Sequence, residues 1–261
     1  MDKKFRNNKK IERVLKNSLM VFMSITIANI NTTYGYTIEN KNIKNLVCLN
    51  LSENESLKSS KKIAYITIDD GPSKYTEDII KILENYNAKG TFFMIDRNMK
   101  VYPEKVKEAL SKGNSIGLHS VSHDIHELYK TNISAKEEFD KNKETFYKIT
   151  GKKTNLIRLP YGSKPYTSTE SYTNLVNSGY SIWDWDIDTE DWRASSEQII
   201  NNVKMYSKNQ DEIVILIHEK KQTVDALDNL LKYLCEEGYE FKAIEQEQQP
   251  QNFWLGNLHD K

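Results

Sequence analysis

The chain has 261 residues, and its 37 Lys and Arg are balanced by 37 Asp and Glu, so the formal net charge is zero. That length supports one large domain with a full core, and the charge balance supplies no global field for nucleic acid or an anionic membrane. Two cysteines, Cys48 and Cys235, are too few and too distant to form a disulfide framework. The fold must stand on its core.

Lys3, Lys4, Arg6, Lys9, Lys10, Arg13 and Lys16 immediately precede the apolar run Leu19 to Ile30. A positive region followed by a short apolar stretch is the pattern of an export signal, so residues 1–35 read as a signal peptide or an uncleaved membrane anchor. The protein is therefore expected to be exported, secreted or held at the cell surface, and to touch a membrane only through this segment. Residues 36–60 are polar and aperiodic and read as a linker.

A domain begins at residue 61. Strand-like segments recur at 63–68, 91–95, 115–118, 156–159, 180–187, 213–217 and 239–244, with helical patterns between them. The spacing of Leu230, Leu231 and Leu234 marks the last helix, where Cys235 reads as a buried thiol. Strict alternation of strand and helix predicts an α/β fold of parallel strands with helices outside, either an open doubly wound sheet or a closed barrel. Seven such strands would make a deformed (β/α)7 barrel, whose chemistry collects at the C-terminal strand ends. The domain is expected to end near residue 245, followed by a polar tail (246–261) whose Phe253-Trp254-Leu255 docks on the barrel. The chain is expected to act as a monomer.

The strand ends carry the polar residues. The first exits through Asp69-Asp70-Gly71-Pro72, where adjacent carboxylates suggest a division of labour between gripping a cation and handling a proton. The third ends at His119-Ser120-Val121-Ser122-His123, and with Asp70 these two imidazoles form a donor set suited to Zn²⁺ or another divalent transition ion. The fourth delivers Arg158, able to hold a carboxylate by a bidentate contact, and then Pro160-Tyr161-Gly162, a turn that can aim the Tyr161 N–H into a pocket as an oxyanion donor. The fifth runs through Trp183 and Trp185 to Asp188, Asp191 and Trp192. Sugar faces stack on such rings, although core packing explains at least one of them equally well. The sixth delivers His218, a candidate general acid that Asp191 would tune.

In this order Thr67-x-Asp69-Asp70-Gly71-Pro72, His119-Ser120-x-x-His123, Arg158-x-Pro160-Tyr161-Gly162, Asp188-x-x-Asp191-Trp192 and Leu216-x-His218 resemble the polysaccharide deacetylases, the NodB-homology or carbohydrate esterase family four enzymes. The resemblance spans about 61–245. It implies that Asp70, His119 and His123 bind one divalent metal ion, Zn²⁺ first with Co²⁺, Ni²⁺ or Mn²⁺ as alternatives. It implies further that Asp69 is the general base oriented by Arg158, and that the Tyr161 N–H stabilises the oxyanion. His218 would be the general acid with Asp191 behind it, and Trp192 and Leu216 would wall an acetyl pocket. Asp70 stands where a subgroup acting on muramic acid residues commonly carries Asn. The expected activity is N-deacetylation of N-acetylglucosamine residues in a cell-wall glycan, peptidoglycan first, with Trp185 and Tyr161 contacting the sugar. Chitooligosaccharide, poly-N-acetylglucosamine and acetylxylan are alternative substrates. A small-amide hydrolase on the same barrel and a catalytically dead glycan-binding module are the competing readings.

Overall fold

A computed structural model describes residues 62–258, so the expected leader and linker lie outside the described residues. The elements in chain order are β1 (Lys62–Gly71), α1 (Thr76–Asn85), β2 (Gly90–Met94), α2 (Asp96–Val101), α3 (Pro103–Ser111), β3 (Ser115–Leu118), α4 (Ile125–Leu128), α5 (Ser134–Thr150), β4 (Leu156–Ile157), α6 (Thr169–Asn177), β5 (Ser181–Ile182), β6 (Ile187–Asp188), α7 (Ser196–Tyr206), β7 (Glu212–His218), α8 (Lys221–Glu236) and β8 (Tyr239–Phe241). All strand pairs are parallel, in the order β5-β4-β3-β2-β1-β7-β6, with β8 beside the start of β1. This is a deformed (β/α)7 barrel.

Two differences from the sequence reading concern its seam. The expected single strand at 180–187 is split. Its first half pairs with β4 as β5, and its second half pairs with β7 as β6. One segment therefore joins the two edges of the sheet, with Trp183 N donating to Ile157 O and Asp186 N to Val214 O. The buried Asp186 carboxylate also accepts from Val214 N at 2.7 Å, so the crossing is fixed by side chain as well as backbone. The short helices α2 and α4 were not anticipated, since six and four residues are too few to display a helical period.

Strand alternation sorts the core into two layers. Ala64, Ile66 and Ile68 of β1, Ile116 and Leu118 of β3, and Ile213, Ile215 and Ile217 of β7 face outward. There they meet helix residues such as Ile79, Ile80 and Leu83 of α1 and Leu227, Leu230, Leu231 and Leu234 of α8. The opposite parity, Tyr65, Phe93, Leu156, Trp183 and Val214, forms the barrel interior. Trp183 is thus a core residue, fully buried against Tyr65 with its Nε1 donating to Ser181 Oγ, and it offers no face to a sugar. Cys235 is buried, as expected. Among the described residues no helix is long and apolar enough to cross a membrane.

Gly117 allows the interior to close under the site. A Cβ there would lie 2.3 Å from Phe93 Cδ1, and the Phe93 ring in turn lies 4.3 Å from the Arg158 guanidinium carbon. Gly117→Ala is expected to lower stability by about 1–3 kcal/mol, the usual cost of overpacking. An unchanged urea midpoint would mean that Phe93 moves aside freely.

Candidate active site

The inward parity of four strands carries straight into the site. Following Tyr65 and Thr67, Asp69 points into the barrel; following Gly117, so does His119; Arg158 follows Leu156, and His218 follows Val214 and Leu216. Asp69 and His218 are direct register partners of β1 and β7. Asp70 would face outward in a regular strand. A register shift between Asp69 and Gly71, with Asp70 in the left-handed region at φ 68°, turns it back toward the same mouth. His123 (φ 53°) and Tyr161 (φ 65°) hold the same unusual conformation. Backbone strain is concentrated where side chains must converge.

Asp70, His119 and His123 come together. His123 Nε2 lies 3.2 Å and His119 Nε2 3.6 Å from Asp70 Oδ1, and the three donor atoms lie within 4.8 Å of one another. Their chemistry fits a divalent cation. Asp70 Oδ1 is buried without a hydrogen-bond partner, an arrangement that is costly unless a cation satisfies it. His119 Nδ1 donates to Arg158 O at 2.8 Å, leaving Nε2 with its lone pair toward Asp70. Burial pushes the His119 imidazole below its ordinary pKa and so favours that neutral form.

Asp69 is almost fully buried, with Arg158 Nη1 3.0 Å from its Oδ1. The expected bidentate grip is absent. Nη1 is shared with Thr67 Oγ1 at 2.7 Å, while Nε donates to Trp183 O at 3.0 Å and Nη2 to Asp184 O at 2.8 Å. The guanidinium is a buried hub that joins β1 to the 183–184 crossing and spares one nitrogen for the carboxylate.

On the facing wall His218 Nδ1 lies 2.6 Å from Asp191 Oδ1. Asp191 Oδ2 accepts from His218 N at 2.6 Å and from Thr223 Oγ1 at 2.5 Å, so the fully buried carboxylate is held on both oxygens. Burial opposes a charge on His218. The hydrogen bond and charge of Asp191, with Asp69 and Asp70 farther off, more than offset it and raise the imidazole to about 9. With Nδ1 engaged by Asp191, Nε2 is the atom free to exchange a proton.

Asp69, Asp70, His119, His123 and His218 line one cavity of about 500 Å³, together with Tyr161, Trp185, Trp192 and Leu216. The Tyr161 ring is exposed and packs edge-on to His123 at 5.1 Å, and its N–H has no acceptor among the described residues. Trp192 is exposed at the rim, whereas Leu216 is buried in the wall.

Sequence reasoning missed the residues that hold the ligand-bearing loops. Glu138 Oε2 on α5 accepts from both Val121 N and Ser122 N at 2.9 Å, and Asn142 Nδ2 donates to Ser120 O at 2.6 Å. Asn98 Nδ2 donates to Asp70 O at 2.8 Å. One signal was legible: Asn142 falls on the stripe of Ala135, Phe139 and Phe146, where a polar residue must have a buried partner. Lys220, which also lines the cavity, carried no comparable signal.

Comparison with known proteins agrees with this geometry. The polysaccharide deacetylase family model matches residues 56–180. A peptidoglycan-N-acetylglucosamine deacetylase of Bacillus cereus is 38% identical over 205 residues, covering 76% of this chain and 75% of that protein. The peptidoglycan-N-acetylmuramic acid deacetylase PdaC of Bacillus subtilis is 29% identical, over 76% of this chain and 41% of its own length. The crystal structure of the polysaccharide deacetylase Bc1974 from Bacillus cereus superposes with a TM-score of 0.72 at 38% identity, over 76% of this chain and 99% of that one. With its barrel, its mouth-facing residues and this kinship, the chain belongs to the polysaccharide deacetylase family and is a hydrolase of carbon–nitrogen bonds other than peptide bonds.

Proposed function

We propose that this enzyme is a metal-dependent N-deacetylase of N-acetylglucosamine residues in a cell-wall glycan, with peptidoglycan as the leading substrate and acetate as a product. The observation that carries the reading is one cavity holding three elements: the Asp70, His119 and His123 cluster, an Arg158-bound carboxylate beside it, and an Asp191-bound imidazole opposite. The Bacillus cereus relative supports the choice of sugar. Asp70, in place of the Asn common in the muramic acid subgroup, points the same way.

Asp70, His119 and His123 would hold one divalent ion, Zn²⁺ by donor type. When bound, such an ion would lower the pKa of water toward neutrality and polarise a carbonyl. The protein's own groups complete the amide hydrolysis. Asp69 accepts the proton of the water that attacks the acetamide carbon on Oδ2, the oxygen on the His119 side, while Arg158 holds Oδ1 and so orients the carboxylate. The Tyr161 N–H donates to the developing oxyanion. His218 Nε2 then protonates the departing glucosaminyl nitrogen, which breaks the C–N bond and releases acetate. Trp192 and Leu216 enclose the acetyl methyl, while Tyr161 and Trp185 flank the sugar.

We propose that the enzyme acts outside the cytoplasm, a reading supported by the basic-then-apolar N-terminus and consistent with a wall polymer as substrate. The decisive assay compares acetate release from purified peptidoglycan, chitooligosaccharide, poly-N-acetylglucosamine and acetylxylan. Release from peptidoglycan is expected to lead. A preference for a small non-sugar amide would overturn the reading, and preference for another polymer would reassign the substrate.

The purified protein is expected to bind about one divalent ion per chain. His119→Ala or His123→Ala should empty the site, because a three-ligand centre has no spare donor. Wild-type metal content in both variants, by elemental analysis, would remove the ligand assignment.

A further inference from the structure

The barrel seam is closed by a piece of chain outside the strands. Where residues 183–186 cross from β4 to β7, Asp184 N donates to Gln251 O at 2.9 Å, and Asn252 Nδ2 donates to Ile182 O at 2.9 Å. The C-terminal segment thus lies along the crossing as a neighbouring strand would. Asp184 binds this segment to the loop that carries Tyr161. Its fully buried carboxylate accepts from Ser163 N at 2.8 Å on Oδ1, and from Ser163 Oγ at 2.5 Å and Phe253 N at 2.8 Å on Oδ2. Its carbonyl meanwhile receives Arg158 Nη2, the guanidinium that holds Asp69.

The segment also touches the loop directly. Trp254 Nε1 donates to Ser163 O at 2.8 Å, and its ring stacks on Tyr172 at 5.0 Å. Phe253 packs edge-on to Trp185 at 5.4 Å. Gly162 sits between them, and a Cβ there would lie 3.0 Å from Phe253 and 3.2 Å from Trp185. Burying a carboxylate in this place is costly, and burial raises the Asp184 pKa despite its hydrogen bonds. A fold needing only stability would be served as well by apolar packing.

We propose that Asp184 and the Asn252–Trp254 segment are positioning elements for catalysis, setting the Tyr161–Ser163 loop and the Arg158–Asp69 pair relative to one another. The inference rests on the proposed deacetylase reading for its kinetic consequence and on geometry alone for its structural one. Neither Asp184 nor Trp254 lines the cavity, so neither touches substrate. Misplacing a catalytic group by about 1 Å can cost roughly 10²-fold in rate. The larger loss belongs in kcat, because the loop carries the Tyr161 N–H and Arg158 orients Asp69, while the metal ligands are untouched.

The test uses the full chain with Trp254→Phe, which deletes the hydrogen bond to Ser163 O and keeps a smaller ring on Tyr172, and Asp184→Asn, which deprives Phe253 N of its acceptor. Each is measured for kcat and KM in acetate release at 25 °C, for metal content, for melting temperature, and for hydrogen exchange of the peptide spanning 158–166. The expected result is a kcat loss of about 3- to 10-fold for Trp254→Phe and at least about tenfold for Asp184→Asn. Metal content should stay near wild type and KM should change less than kcat, with faster exchange in that peptide. A lower melting temperature with wild-type kcat and wild-type exchange would make the segment a stabiliser only and overturn the proposal. If wild-type protein releases no acetate while Trp254→Phe still speeds exchange at 158–166, the deacetylase reading fails and the structural brace stands.

Discussion

Asp69→Asn is expected to abolish most turnover while leaving fold and metal content intact. Asn has the volume of Asp and can still accept the Arg158 Nη1 hydrogen bond, which spans 3.0 Å, so the buried hub keeps its partner. What the amide lacks is a site for the water's proton. A positioned general base contributes roughly 10²- to 10⁴-fold, and kcat should fall by that order with KM little changed. Asp69 is outside the three-residue donor set, so metal content should remain at the wild-type value. Single-turnover acetate release alongside elemental analysis makes the comparison. A variant that is slow because it has lost its metal, or one that keeps near wild-type kcat, would take the proton-accepting role away from Asp69.

The second large effect concerns the opposite wall and has a pH signature. His218 must be protonated to deliver a proton, and Asp191 raises it to about 9 from an ordinary 6.5. Activity should therefore hold through neutral pH and fall as pH rises through about 9. In Asp191→Asn the charge and its strong hydrogen bond are gone, while burial, which disfavours the imidazolium, remains. The alkaline limb should then move to lower pH by about two units or more, leaving most molecules without the acid at pH 8. His218→Ala should lose roughly 10²-fold or more at every pH and show no such limb. A pH profile of Asp191→Asn that overlays wild type would dissociate the pair from catalysis. The same linkage carries a stability term of fixed sign. Because the folded-state pKa is raised, the pair's contribution is fully present below about 6.5 and is lost as pH rises through about 9.

Much of this was legible in the residues themselves. Alternation of strand and helix was enough for a parallel barrel, because each strand's apolar run needs helices on its outer face. The ends of those strands were enough for the candidate site, since a buried strand has no structural use for Asp69-Asp70 or His119 at its exit. Strand parity was also present in the sequence: Tyr65, Thr67 and Asp69 share one face, as do Val214, Leu216 and His218.

Other features depended on pairings between segments remote in sequence. Parity alone sends Asp69 and Asp70 to opposite faces, and only the register shift against β2 and the left-handed turn at Asp70 bring both to the mouth. The fifth strand read as one apolar run, but its halves pair with different neighbours, and that choice belongs to barrel closure and not to local propensity. Trp183 and Trp185 are alike in sequence. One faces Tyr65 in the core and the other lines the cavity, because two residues of the same parity lie at different depths along the barrel axis. Arg158 was recognisable as a carboxylate holder, yet its single-nitrogen grip follows from carbonyls of residues 183 and 184 that the crossing brings beside it. Residue types and their order determined which chemistry is present. Long-range pairing, which strains the backbone at Asp70, His123 and Tyr161, decided which of those groups meet.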